Sequence, residues 1–147
     1  MFRRSSPTLE VLLVHPGGPF WKNKDAGAWS IPKGLCEQTE NPLDAAQREF
    51  TEETGFQVRP PLIPLGTAKQ PGGKSMTVWA FEGDADPATL VSNFFEMEWP
   101  PRSGALAVFP EVDRAAWFDV YAAKSSILKG QVRFIDELAA TLFPTSC

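Results

Sequence analysis

Residues 34–56 read GLCEQTENPLDAAQREFTEETGF, and the fold turns on how that stretch is read. Asn41-Pro42 is a helix start, because Asn can accept from the free N–H groups of a first turn and Pro at the first helical position loses no needed donor. The helix runs through LDAAQREFTEET and stops at Gly55, since glycine takes a left-handed backbone without steric cost. Along it Glu49, Glu52 and Glu53 stand at i, i+3 and i+4, so they leave one face within an arc of roughly 100°. Leu43, Ala46 and Phe50 form a neighbouring apolar stripe that can seat the helix on a sheet. The three carboxylates repel one another, and they sit where the helix dipole disfavours anions. A divalent cation among them would reverse the sign of that electrostatics. Carboxylate oxygens select hard ions such as Mg²⁺. The bland alternative is a solvated acidic face, the commoner origin of such triplets, with Arg48 an ordinary ion-pair partner.

Outward from this helix, the chain alternates short strands with loops. Residues 9–15 (LEVLLVH), bounded by Pro7 and by Pro16-Gly17-Gly18, predict a buried strand, and Ser5-Ser6-Pro7-Thr8 a hairpin turn from a first strand ending near Arg4. That first strand is expected to be short or frayed, with its start cut off. Residues 17–30, glycine-rich with Trp21 and Trp29, read as a loop. Val58, Leu62 and Ile63, interrupted by prolines, predict an irregular edge strand. Residues 76–82 (MTVWAFE) predict a central strand. Residues 94–99 (FFEMEW) predict a strand with Phe95, Met97 and Trp99 on one face and Glu96 and Glu98 on the other. After a turn at 100–104 come a last strand at 115–120 and helices at 121–128 and 132–142. The second helix carries Val132, Ile135, Leu138, Ala139 and Leu142 at helical spacing. Strands mixed with a few helices predict an α/β or α+β sandwich.

Size and composition bound the function. The 147 residues fit one domain, 43% hydrophobic and 22% charged, as in an ordinary soluble protein. No apolar run approaches the roughly 20 residues of a membrane span. Cys36 and Cys147 make neither a disulfide framework nor a paired metal motif, and a reducing cytoplasm is the default setting. A net charge of −4 argues against a general nucleic-acid surface, although it leaves room for a local basic pocket.

The stretch as a whole resembles the Nudix box, G-x5-E-x7-R-E-U-x-E-E-x-G-U with U a bulky apolar residue. Gly34, Glu40, Arg48-Glu49, Phe50, Glu52-Glu53, Gly55 and Phe56 fill every position. The resemblance covers residues 34–56 only, but the surrounding strand and helix order is similar to the Nudix α/β/α sandwich with a central mixed sheet. It implies a pyrophosphohydrolase in which Glu49, Glu52 and Glu53, with the Gly34 carbonyl, bind Mg²⁺ or Mn²⁺. Arg48 and Glu40 then hold the catalytic glutamate and the loop, and Glu49, if not a ligand, is a candidate general base. Relatives also use a carboxylate from outside the box: Glu111, lying before Trp117, is favoured here, with Glu98 and Glu96 as rivals.

The lead-in Trp29-Ser30-Ile31-Pro32-Lys33-Gly34 resembles the W-x-x-P-K-G of Nudix enzymes acting on dinucleoside polyphosphates. It implies that Lys33 sits beside a polyphosphate as a point charge. Trp21, Trp29 and Trp79 are candidates to stack on a base, although large aromatics are more often core. His15, Lys69, Lys74 and Arg102 are candidate phosphate contacts; Gly72-Gly73-Lys74 is too short for a phosphate loop and reads as a hairpin turn. Dinucleoside polyphosphates lead as substrate, with nucleoside triphosphates, nucleotide sugars and triphosphorylated RNA ends open. The chain is expected as a monomer or homodimer. The alternative, a sensor module that kept the fold and lost catalysis, is opposed by the intact glutamates.

Overall fold

The computed structural model describes residues 1–5, 8–33, 39–69 and 72–144. Its elements run β1 (Phe2–Ser5), β2 (Thr8–Pro16), α1 (Pro42–Thr54), β3 (Ile63–Lys69), β4 (Ser75–Ala80), β5 (Phe94–Glu98), β6 (Leu106–Pro110), β7 (Val112–Asp119), α2 (Val120–Ser126) and α3 (Val132–Leu142). The most apolar strand takes the middle. β2 pairs antiparallel with β1 on one side and β7 on the other, with Phe2 opposite Val11 and Leu12 opposite Trp117. β1, four residues long, is flanked on its free side by the chain leaving β4. Phe2 donates to the Phe81 carbonyl at 2.9 Å, Gly83 donates to the Phe2 carbonyl at 2.9 Å, and the bridge from Phe2 to Glu82 is parallel. That parallel bridge beside the antiparallel ladders of β1, β2 and β7 makes the arrangement mixed.

Both faces of β2 are buried, because helices cover both. Leu9, Val11 and Leu13 pack into one core with Ala123 of α2 and Phe134, Ile135 and Leu138 of α3. Leu12 points the other way, into a second core with Phe50 of α1, Phe56 and Phe81. Phe50 meets Phe81 edge to face at 5.1 Å, a geometry worth about 1 kcal/mol beyond area burial. The result is a helix–sheet–helix sandwich. Among the described residues no helix is long and apolar enough to cross a membrane.

Several expectations shift. The segment at 76–82 leaves the ladder at Ala80, pairs with β3 in a hairpin, and reaches the centre only through its continuation at 81–83. β3 begins at Ile63 and carries on through Gly66, where a register shift between Pro64 and Gly66 absorbs the irregularity. β6 was not foreseen: its outer face carries Leu106 and Val108 where a solvated strand would show polar residues, so no period-two signal exists. β5 behaves as expected, with Phe95 and Met97 half-buried and Glu96 and Glu98 exposed.

Candidate functional site

The local sequence sets up α1 at both ends. The Asn41 side chain accepts from Leu43 N at 2.9 Å, and Gly55 closes the helix at φ 75°. The last carbonyls of a helix have no partner within it. Here Val91 N donates to Thr54 O at 2.9 Å and Asn93 N donates to Glu52 O at 2.8 Å. Asn93 O in turn accepts from Glu111 N at 2.9 Å. A short strip at 91–93 therefore ties the acidic end of α1 to Glu111.

That strip makes the site. Glu49, Glu52, Glu53, Asn93 and Glu111 share the wall of one cavity of about 1010 Å³. Lys33 and Lys74 line the same cavity, as do Leu43, Ala46, Met76 and Trp79. Sites for small ligands commonly fall between about 300 and 1,000 Å³, so there is room for a nucleotide. Glu96 and Glu98 lie on the exposed face of β5, outside that wall. Of the carboxylates weighed from sequence, Glu111 alone lies beside the box glutamates.

The charges are arranged unequally. Arg48 grips Glu40 with two hydrogen bonds of 2.8 and 2.9 Å, and its remaining arm reaches Glu49 at 3.0 Å and Glu52 at 3.1 Å. A planar guanidinium suits such a fork. Glu53 feels the charge of Lys33 instead. Its Oε2 accepts from Lys33 N at 3.0 Å, yet burial, aided by the charges of Glu49 and Glu111, pushes its carboxyl up to about 7. No three His, Cys, Asp or Glu side chains among the described residues converge as a ready metal cage. Arg48 holds two of the candidate ligands, so Glu49 and Glu52 would have to turn from it to reach a cation. The donor set nevertheless fits a hard divalent ion in type, being all oxygen, and in charge, since Glu53 lies among like charges that a cation would relieve.

Two expected substrate contacts are corrected. His15 is fully buried; its Nδ1 lies 2.8 Å from Asp113 Oδ1 and its Nε2 2.6 Å from Lys24 O, so it ties the 17–28 loop to β7. Trp29 is 5% exposed, donates from Nε1 to Asp25 at 2.7 Å, and packs on His15 and Phe118. Both are core because they belong to the side of β2 facing away from α1. Trp21 stacks with Lys24 outside the cavity. Lys69 and the turn residue Arg102 are exposed and do not line it either. Gly34 lies outside the described residues. Sequence reasoning missed Asn93, which joins helix and acidic loop through backbone atoms that no side-chain pattern announces.

An acidic helix end facing a further carboxylate, with lysines and an apolar wall around one cavity, is an arrangement suited to a cation and a phosphorylated ligand together. The NUDIX domain model matches residues 2–138, and the chain belongs to that family as a Nudix hydrolase. It is 27% identical over 127 residues to an RNA pyrophosphohydrolase of Rhizobium meliloti (strain 1021), covering 76% of this chain and 71% of that protein. Its fold is similar to an Ap4A hydrolase of C. elegans, with a TM-score of 0.64, 19% identity, and coverage of 96% of this chain and 92% of the other. A mutT/nudix family protein from Listeria innocua follows the same course, with a TM-score of 0.58, 20% identity, and coverage of 96% and 88%. At such identities the solved structures speak to the fold alone.

Proposed function

We propose that this chain is a divalent-metal-dependent pyrophosphohydrolase that cleaves a phosphoanhydride bond of a dinucleoside polyphosphate or a nucleoside triphosphate. The observation that carries the reading is the meeting of Glu49, Glu52, Glu53 and Glu111 on one cavity wall with Lys33 and Lys74. Those four carboxylates would hold Mg²⁺ or Mn²⁺, with the Gly34 carbonyl as a further donor. When bound, the ion neutralises phosphate oxygens and makes water a nucleophile near neutral pH.

The remaining work falls to the chain. Lys33 and Lys74 bring ammonium groups toward the polyphosphate. Trp79, Met76, Leu43 and Ala46 offer the apolar wall that a nucleobase needs. Arg48, anchored on Glu40, keeps Glu49 and Glu52 close to the cavity until they are needed. Glu49, where it is free of ligation, takes the proton of the attacking water as the P–O bond to the leaving phosphate breaks. We place the protein in the cytoplasm, the default setting for two cysteines that make no disulfide framework, and expect a monomer or homodimer.

The test is phosphate and nucleotide release with Mg²⁺ or Mn²⁺ across dinucleoside polyphosphates, nucleoside triphosphates, nucleotide sugars and 5′-triphosphorylated RNA. The last class is included because of the Rhizobium relative. Metal-dependent turnover of a small nucleotide, lost in Glu52→Gln and Glu53→Gln, is the expected result. Turnover confined to RNA would replace the substrate class. Folded protein that binds nucleotide and turns over nothing would make this a sensor module.

A further inference from the structure

Gln131 is fully buried at the turn where α3 begins, yet it lies in phase with the apolar stripe of Phe134, Ile135 and Leu138. A polar side chain there is costly unless both ends are bonded. One end is: Oε1 accepts from Ile31 N at 2.9 Å. The other is not, since Nε2 has no partner among the described residues. A leucine or methionine would fill the position without the orphaned Nε2 but would take the acceptor from Ile31 N, so glutamine is kept for that bond and not for packing.

The bond it makes falls at a particular place. The strap at 29–33 runs from the sheet to the acidic end of α1. Its first residues are fastened by backbone: Trp29 N donates to Ser126 O, Leu128 N donates to Trp29 O, and Ser30 exchanges two bonds of 2.9 Å with Val14. Ile31 N has no such backbone partner among the described residues and is held by Gln131 instead. Pro32 has no N–H to give. The next donor, Lys33 N, bonds Glu53 Oε2 at 3.0 Å. Proline fixes its own φ and restricts the residue before it, so the link from Ile31 to Lys33 is stiff. Displacement at Ile31 is therefore passed to the Lys33 amide.

We infer that Gln131 is a positioning residue that sets the Glu53 carboxylate through the Ile31–Pro32–Lys33 strap. The inference rests on the reading of Glu53 as part of the reaction site, but its geometry is tested separately. The first measurement is amide hydrogen exchange in wild type, Gln131→Leu and Gln131→Glu. In Gln131→Leu the Lys33 amide should exchange at least about tenfold faster, while the Ser30 amide, bonded to Val14, stays as protected as before. Gln131→Glu keeps an acceptor for Ile31 and should restore Lys33 protection. Unchanged Lys33 exchange in a folded Gln131→Leu protein overturns the inference whatever the enzyme does.

The second measurement is kinetic. With the substrate found above, Gln131→Leu should lower kcat and raise the Mg²⁺ concentration for half-activation about tenfold, with KM little changed; changes of 10–100-fold are usual when a ligand's supporting bonds are lost. Gln131→Glu should recover most of that loss. A Gln131→Leu protein with faster Lys33 exchange but wild-type kcat and Mg²⁺ dependence would show the strap to be merely structural. Wild-type protein that turns over no substrate would sink the hydrolase reading instead, while leaving the exchange result to stand or fall alone.

Discussion

Glu53 is buried beside Glu49 and Glu111, and burial with those charges outweighs the backbone hydrogen bond and the ammonium charge that Lys33 gives it. Its carboxyl titrates at about 7 in the fold against an ordinary 4.5. The folded state therefore holds a proton that the unfolded state has released, so stability without metal falls as pH rises from about 4.5 through about 7. Glu53→Gln removes that term. Melted in EDTA across pH 5 to 8, wild type should lose stability relative to the variant with rising pH; a constant difference would show that Glu53 does not titrate there. A divalent cation should reverse the trend, raising the melting temperature of wild type more at pH 8 than at pH 6, and of the variant little at either. The residue scale is also where the sequence was hardest to read. His15 and Trp29 had the chemistry of substrate contacts, but whether a side chain on β2 faces a cavity or a core depends on which helix covers that face, and spacing along the chain does not say. Gln131 did leave a trace, as a polar residue in phase with an apolar stripe.

The elements were far more legible, because α1 carries its own start and stop. Asn41, Pro42 and Gly55 bound the helix at the residues expected from their backbone chemistry, and α3 occupies 132–142 as its apolar spacing requires. The strands that escaped, β6 and the later half of β3, lack a clean alternation or are interrupted by Pro64 and Gly66. At this scale Gly55 does two things. Its φ of 75° disfavours any other residue by roughly 1–2 kcal/mol. A Cβ there would also meet Val91 Cβ and O at 3.1 Å, pushing on the strip whose Asn93 links Glu52 to Glu111. Gly27 has a similar φ of 74° with open space around it, so it isolates the backbone cost. Gly55→Ala should thus lose more stability than Gly27→Ala in urea unfolding and should also lose hydrolytic activity, whereas Gly27→Ala should keep it. Equal losses in both would mean that the 91–93 strip yields freely and does not hold the acidic residues together.

Across the whole molecule, charge bears on which substrate the cavity meets. The chain carries a net −4, and within it the cavity gathers Glu49, Glu52, Glu53 and Glu111 beside Lys33 and Lys74. A polyphosphate approaching it is repelled at long range and attracted only close in, where a bound cation and the two lysines act. Salt weakens the first effect more than the second, because at 0.1 M charges more than about 10 Å apart are largely screened. A small nucleotide should therefore show a kcat/KM that holds level or rises as KCl goes from about 20 to about 150 mM at saturating Mg²⁺. A protein that gathers an RNA backbone along a basic surface behaves in the opposite way, losing affinity steeply over that range as counterions compete. The mean charge read from composition already pointed away from such a surface; what it could not give was the local pairing of carboxylates and lysines, which only the fold brings together. The salt series on the best small nucleotide and on a 5′-triphosphorylated RNA decides between them. A level or rising response with the nucleotide as the faster substrate supports the small-molecule reading, and a steep fall on RNA as the faster substrate would show that a local basic track outweighs the acidic whole.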